Sequence, residues 1–103
     1  MIREVILRGL FLESLIEIES YLSQYMSLKS ARKFSSEAIG FVSDTIAQNP
    51  FAFVRYESQF LDNVNIRRAV FKSSYCIVYE VFEDRIEILN IYHNSRNPDS
   101  IDY

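Results

Sequence analysis

The residues best suited to chemistry in this sequence lie close together near its C-terminal end. Three bases, Arg67, Arg68 and Lys72, stand within six residues, and the only histidine, His93, precedes a fourth base, Arg96. Clustered bases can hold and neutralise a phosphate in a transition state. An imidazole changes charge near neutral pH and can therefore move a proton. The set fits either phosphodiester cleavage or the binding of a partner without catalysis.

The two adjacent arginines cannot both serve one site, because successive strand side chains point to opposite faces of a sheet. Arg68 is the better candidate, since it has the same parity as Lys72, and Arg67 is then free to pair with an acid. His93 has the parity of Leu89 and Ile91, two apolar residues, which argues against an open face.

A lone histidine at the end of a strand is more often a hydrogen-bonded structural residue than a catalyst. Its position at the strand end lets the chain turn, and Tyr92 is the fallback candidate there. Glu57 is a possible general base, although a plain surface carboxylate is the better interpretation. Cys76 has apolar neighbours and is expected to be an inert buried thiol. The sequence indicates no metal site and no cofactor.

Three strands must position these residues. Ile66 to Lys72 is the first, Tyr75 to Phe82 the second and Ile86 to His93 the third. The second is almost entirely apolar, as expected for a central strand that is buried on both faces. Short polar turns separate the three, which makes consecutive strands antiparallel neighbours.

The N-terminal half predicts one strand and two helices. Glu4 to Arg8 is a short apolar run that must join an edge of the sheet. Leu10 to Met26 has helical periodicity, and either Ser27 or Ser30 could cap a second helix from Ala31 to Gln48, which Pro50 ends. The short link makes the helices an antiparallel hairpin.

The predicted fold is therefore α+β, in the order β-α-α-β-β-β, with the helix hairpin packed on one face of a small, mainly antiparallel sheet. Residues 51–65 form an irregular linker over the core. Residues 1–96 are expected to be one domain, and residues 97–103 a flexible tail.

Composition excludes several classes of protein. The chain has 103 residues, of which 49% are hydrophobic and 24% charged, as in an ordinary folded domain. A net charge of −3 argues against broad, non-specific nucleic-acid binding. One cysteine cannot form an internal disulfide, and no apolar run approaches the ~20 residues of a membrane span.

Three segments carry a family resemblance: IRRAVF, then YCIVYEV, then EILNIYHNSRNP. In this order they resemble the RelE/ParE superfamily of type II toxin–antitoxin toxins, over nearly the whole chain. The last strand, ending in His and followed by Ser-Arg-Asn-Pro, is similar to the ParE and plasmid-stabilisation branch. The resemblance implies a growth inhibitor in the bacterial cytoplasm, neutralised by a cognate antitoxin.

The superfamily holds two chemistries, and both stay open at this point. ParE-like members inhibit DNA gyrase, and this target is favoured here. RelE-like members cleave mRNA on the ribosome, for which His93, Arg68 and Arg96 would be the catalytic residues. A non-toxic interaction module of the same fold is a third alternative. For any target, the expected contact residues are Arg67, Arg68, Lys72, Tyr92, His93 and Arg96.

The antitoxin is expected to fold as it binds, which needs a large apolar contact to offset the lost chain entropy. The chain holds seven tyrosines and eight phenylalanines, more than so small a core requires. Some should therefore line an exposed groove on the helix side. The expected antitoxin-binding residues are Tyr21, Tyr25, Phe51 and Phe53.

Overall fold

A computed structural model describes residues 3–55 and 65–95 of the chain. Its elements in chain order are β1 (Glu4–Leu7), α1 (Gly9–Leu22), α2 (Leu28–Phe41), a π-helical turn (Val42–Ile46), β2 (Ile66–Phe71), β3 (Tyr75–Val81) and β4 (Arg85–His93). This is the predicted β-α-α-β-β-β order of an α+β fold.

The four strands form one mixed sheet in the order β1-β4-β3-β2. The pairs β2–β3 and β3–β4 are antiparallel, because short turns join them, and β1 runs parallel to β4. The N-terminal strand thus lies at an edge, as predicted. At the opposite edge, Arg55 forms a single antiparallel bridge with Arg67 of β2.

Helix α1 is shorter than its periodicity predicts. Phe11 and Leu15 are buried, and Ile18 and Leu22 pack against the same core. The helix ends at Leu22, so Tyr25 belongs to the following turn rather than to the buried stripe.

Helix α2 begins three residues before its predicted start. Ser27 is the N-cap, and its hydroxyl accepts a hydrogen bond from the Ser30 backbone at 3.1 Å, a contact that typically stabilises a helix by about 1 kcal/mol. The last turn widens, and the Ala47 N–H donates to the Val42 carbonyl. This wider turn keeps Val42 and Ile46 buried.

Both faces of β3 are buried, as its apolar sequence predicts. The larger cluster lies under the helices and includes Phe11, Phe34, Ile77, Tyr79 and Ile91. A smaller cluster on the other face comprises Ile66, Cys76, Val78, Leu89 and Tyr92. The helices therefore cover only one of the two faces.

A bulge in β4 changes which residues share a face. Val78 pairs with Asn90 but the next residue, Tyr79, pairs with Ile88. Leu89 is the extra residue and joins the smaller cluster, whereas Ile88 and Ile91 face the helices. His93 therefore lies on the face opposite Leu89, whereas simple alternation had predicted that the two residues share a face.

Strand β4 is joined to the segment after β1 by charge as well as by backbone bonds. Glu87 of β4 accepts hydrogen bonds from Arg8, just after β1, and from Arg85. These bonds lower the pKa of Glu87, with the Arg85 contact as the largest cause. Within the described residues, no helix is both long and apolar enough to cross a bilayer.

Candidate functional site

His93 ends β4 on the helix-covered face of the sheet. It pairs in register with Tyr75 of β3, and the two rings meet edge to face at 5.3 Å between centroids. Tyr75 in turn contacts the ring of Phe34 on α2 at 4.9 Å. His93 is exposed, so it forms the open end of an aromatic row that begins in the core.

Contacts with Ser95 determine which nitrogen of His93 carries the proton. The backbone N–H of Ser95 donates to Nδ1 at 3.1 Å, and the Ser95 hydroxyl lies 2.9 Å from the same atom. Nδ1 is therefore an acceptor, and the neutral imidazole has its proton on Nε2. In this arrangement His93 offers a partner a hydrogen-bond donor, while its lone pair is occupied.

Asn94 fixes the position of His93 by binding the β2–β3 turn. Its backbone N–H donates to the Ser74 carbonyl at 2.8 Å, and its side-chain amide donates to the Ser73 carbonyl at 2.9 Å. Its side-chain oxygen accepts from the Cys76 thiol. The turn itself holds Lys72 and Ser73 at positive φ. The end of β4 is thus tied to a tightly bent neighbouring turn.

A cleft of about 600 Å³ opens beside His93. Its described lining residues are Glu17, Ile18, Tyr21, Tyr75, His93 and Ser95. Two tyrosines and an exposed carboxylate are suited to a basic or apolar side chain of a protein partner. None of these residues is lysine or arginine, so the described part of the cleft offers no permanent positive charge to a phosphate.

Tyr21 lies at the mouth of this cleft with Tyr25. Their rings are 5.2 Å apart, and a hydrogen bond with Tyr25 raises the pKa of Tyr21. Both are well exposed, at 57% and 70%. They present a paired aromatic surface immediately after the end of α1.

A second cleft of about 320 Å³ lies on the other side of Tyr75 and contains Lys72. Lys72 forms a 2.8 Å ion pair with Glu37 of α2. The hydrogen bond from Lys72 is the largest cause that lowers the pKa of Glu37. Lys72 is thus paired with Glu37 and faces the helix layer.

Arg68 lies on the opposite face of the sheet from His93. It pairs with Val78, a member of the smaller cluster on the face away from the helices. Arg68 is exposed there, whereas Tyr92 on the same face is only 3% exposed. Arg68 therefore shares no site with His93. It shares none with Lys72 either, because the positive φ of Lys72 ends the strand alternation on which the prediction relied. Burial also removes Tyr92 as a surface contact.

Arg67 points under the helices and joins two of the predicted aromatic residues. It donates to the Phe53 carbonyl at 2.6 Å, and its guanidinium lies 5.1 Å from the centre of the Phe51 ring. Its Nε is buried and has no hydrogen-bond partner among the described residues. Phe51 is exposed, and Arg3 contacts the same ring. Phe53 is partly buried against Phe41.

The structure thus brings together some predicted residues and separates others. Tyr21 meets His93 at one cleft, and Arg67 meets Phe51 at the far end of the sheet. Arg96, Glu57 and the proposed tail 97–103 lie outside the described residues. Among the described residues, no group of three or more His, Cys, Asp or Glu side chains could hold a metal ion.

Sequence reasoning missed Glu17, Tyr75, Asn94 and Ser95. Tyr75 could have been found, because counting outward from the two strand turns places it opposite His93. Nothing in the helical spacing of Glu17 marks it as a neighbour of the last strand. The contacts of Asn94 depend on the geometry of the β2–β3 turn, which the sequence of that turn does not predict.

Comparisons with known proteins give structural similarity alone. No family model matches the sequence, and no curated protein matches it. A chain of the chromosomal ParDE TA system from P. aeruginosa has a similar structure, with a TM-score of 0.73 and 14% identity over 89% of this chain and 96% of that chain.

Two further solved structures share the fold. One is a chain of the toxin–antitoxin complex RelBE2 from Mycobacterium tuberculosis, with a TM-score of 0.64 and 10% identity over 91% of this chain and 100% of that chain. The other is a conserved hypothetical protein from Helicobacter pylori, with a TM-score of 0.58 and 16% identity over 91% of this chain and 97% of that chain. The chain has the fold of these neighbours.

Proposed function

We propose that this chain is the toxin of a type II toxin–antitoxin system and a member of the RelE/ParE superfamily. One observation carries the proposal: the fold matches chains of two toxin–antitoxin systems, ParDE and RelBE2, over nearly their full length. The segments IRRAVF, YCIVYEV and EILNIYHNSRNP add an independent resemblance. The toxin acts in the bacterial cytoplasm, and a cognate antitoxin neutralises it.

The proposed target is DNA gyrase, in the manner of ParE. The cleft beside His93 supports this target because Glu17 is the acidic side chain among its described lining residues, and it would repel an RNA phosphate and attract a basic protein segment. The separation of Arg68 from His93 also supports it, since phosphodiester cleavage needs charge stabilisation and proton transfer at one point. Arg67, Lys72 and Arg96 are proposed as further target contacts.

The antitoxin is proposed to cover the exposed aromatic residues on the helix side. Tyr21, Tyr25 and Phe51 are all more than half exposed, which an isolated core would not require. Phe53 is half-buried beside them and completes the surface near Phe51. Burying these rings would supply the apolar contact that a folding antitoxin segment needs.

The test begins with growth and proceeds to purified targets. Expression of the chain alone in a bacterium should arrest growth, and co-expression of the antitoxin encoded beside it should restore growth. The purified toxin should then lower gyrase supercoiling or accumulate cleaved DNA, while translation of a defined message by purified ribosomes continues. Normal growth at high soluble expression would contradict the proposal.

Single substitutions separate the two targets. His93→Ala should weaken gyrase inhibition by removing a donor at the cleft, whereas Lys29→Ala, which changes an exposed base on α2, serves as the control. RelE-like mRNA cleavage is the second candidate, favoured by the RelBE2 likeness. In that case His93→Ala should lower the cleavage rate roughly 10²–10⁴-fold, and Arg68→Ala should also lower it.

A further inference from the structure

The seam between the two helices carries an exposed apolar patch on its solvent side. Leu12 and Ile16 of α1 and Ile39 of α2 form this patch, which we call the seam patch. Ile16 is the most exposed of the three, at 68%. Large aliphatic side chains clustered in water usually mark a contact surface.

One contact across the seam fixes the register of the two helices beside these residues. Glu19 of α1 accepts a hydrogen bond from the Ser35 hydroxyl of α2 at 2.7 Å. Ile16 lies one turn before Glu19 on the same flank of α1, and Ile39 lies one turn after Ser35 on α2. Because the helices are antiparallel, both steps lead in the same direction from the Glu19–Ser35 contact.

The two sides of the seam patch have opposite charge. Glu13 and Glu17 are exposed on α1, and Lys33 is exposed on α2. Arg32 of α2 lies in the seam itself, 3.9 Å from Glu19 of the same chain. From the Glu19–Ser35 contact, Glu17 lies two residues toward one end of the seam and Lys33 lies two residues toward the other end. Their levels therefore differ by about four residues, or ~6 Å along the helices at a rise of ~1.5 Å per residue, which these two long side chains can span.

We propose that the seam patch is the contact surface between two copies of this chain. A two-fold axis parallel to the helices places α1 of one copy over α2 of the other, so that each acidic flank meets a basic flank. The seam patches of the two copies then pack on each other at the axis. A two-fold axis across the helices would instead place the acidic flank of α1 in one copy against the same acidic flank in the other copy, an arrangement that charge repulsion disfavours.

The charge pattern therefore selects a second copy over an unrelated partner. A protein that offered only an apolar helix would leave both charged flanks unmatched. The seam patch does not line the clefts described above, whereas Glu17 lines the cleft beside His93. The dimer contact thus borders that cleft at Glu17, and the proposal does not depend on the toxin assignment.

The first experiment measures the mass of the purified chain by sedimentation equilibrium over a range of concentrations. The wild-type chain should form a dimer, and Ile16→Asn should raise the dissociation constant at least ~10-fold, as loss of a central contact does. Val70→Asn changes an apolar residue of similar exposure, 51%, on β2, and should leave the dissociation constant unchanged. Circular dichroism shows that each variant remains folded.

A charge exchange tests the orientation of the two copies. Glu17→Lys and Lys33→Glu should each weaken the dimer, and the double variant Glu17→Lys/Lys33→Glu should restore it. Restoration would show that residues 17 and 33 are paired. A mixture of the two single variants should also associate more tightly than either variant alone, which requires that α1 of one copy face α2 of the other, because neither chain then holds both changes.

Three outcomes would overturn the proposal. The first is a monomer at every concentration. The second is a dimer that Ile16→Asn leaves intact. The third is a dimer whose double charge variant is weaker than both single variants, which would indicate the other two-fold arrangement. If Ile16→Asn weakens only antitoxin binding to a monomeric wild-type chain, the patch serves the antitoxin and the proposal is also wrong.

Discussion

At the scale of single residues, Tyr79 shows how one polar group is accommodated in the core. The side chain is fully buried, and its hydroxyl donates to the Pro50 carbonyl at 2.7 Å. This bond fixes the end of the helical layer to the central strand. Burial raises the pKa of Tyr79 to about 12.

Replacing Tyr79 with Phe should destabilise the fold by about 1–2 kcal/mol, because the Pro50 carbonyl loses its donor. The pH dependence follows from the raised pKa. The folded state keeps the proton that the unfolded state loses above its pKa of about 10, so stability declines between about pH 10 and pH 12. Tyr79→Phe should remove that decline.

Urea unfolding at neutral and alkaline pH measures both effects. Tyr25→Phe is the matched control, because Tyr25 is 70% exposed and should change neither the stability nor its pH dependence. If the stability of Tyr79→Phe declines at alkaline pH as much as that of the wild type, a group other than Tyr79 causes the decline.

The environment of individual residues was only partly predictable. The apolar neighbours of Cys76 correctly indicated burial. The face of His93 could not be derived by alternation from Leu89, because one extra residue in β4 shifts the parity. A bulge of this kind arises from pairing between strands, so no local feature of the IEILNIYH segment announces it.

At the scale of elements, the parallel pair β1–β4 depends on Glu87. Strand β1 has only four residues and lies at an edge, so its backbone pairing is brief. The salt bridge from Arg8 to Glu87 extends the contact beyond the strand end. Arg85 holds the same carboxylate from the other side.

Glu87→Gln should lower the free energy of unfolding at neutral pH by about 1 kcal/mol, since the amide is a weaker acceptor for two guanidinium groups. The native carboxyl has a pKa below its ordinary value of 4.5. Its stabilisation is therefore complete above that pH and is lost as the pH falls below it. The variant should show a smaller loss of stability on acidification.

Denaturant unfolding from pH 7 down to pH 3 measures this difference. Glu13→Gln removes an exposed carboxylate from α1 and is the control. Equal acid sensitivity in wild type and Glu87→Gln would contradict the assigned role of Glu87.

The order of elements was predictable because the apolar periods change clearly along the chain. Alternation and short turns were sufficient for the three C-terminal strands. The ends of the helices were predicted less accurately, since the cap at Ser27 and the π-helical turn depend on backbone hydrogen bonds rather than on the apolar stripe. The predicted helix from Ala31 to Gln48 therefore included a turn that is not α-helical.

At the scale of the whole molecule, exposed aromatic residues are the feature that the fold itself does not explain. Tyr21 and Tyr25 form a pair that contributes nothing to the core clusters. If an antitoxin covers this pair, Tyr21→Ser should weaken the complex at least ~10-fold, the usual effect of removing a central aromatic contact. Titration calorimetry with the purified antitoxin measures the affinity.

Val70→Ser, which is 51% exposed on β2, serves as the control for Tyr21→Ser. Unchanged affinity in Tyr21→Ser would place the antitoxin elsewhere on the surface. The composition alone predicted exposed aromatics, because fifteen rings exceed what a small core holds. It could not predict that Tyr21 would lie beside His93, which requires the three-dimensional packing of α1 on β4.

The parallel pairing of β1 with β4 also determines when the protein can fold during its synthesis. Strand β1 is made first, but its only sheet neighbour is made last. While the ribosome still holds the C-terminal segment, β4 is absent from the sheet, and Phe11 and Leu15 lack the strand that they cover. The sheet and the His93 cleft can therefore form only after β4 has left the ribosome. Until then the hydrophobic face of α1 stays without its cover, so folding follows synthesis of β4 rather than accompanying it.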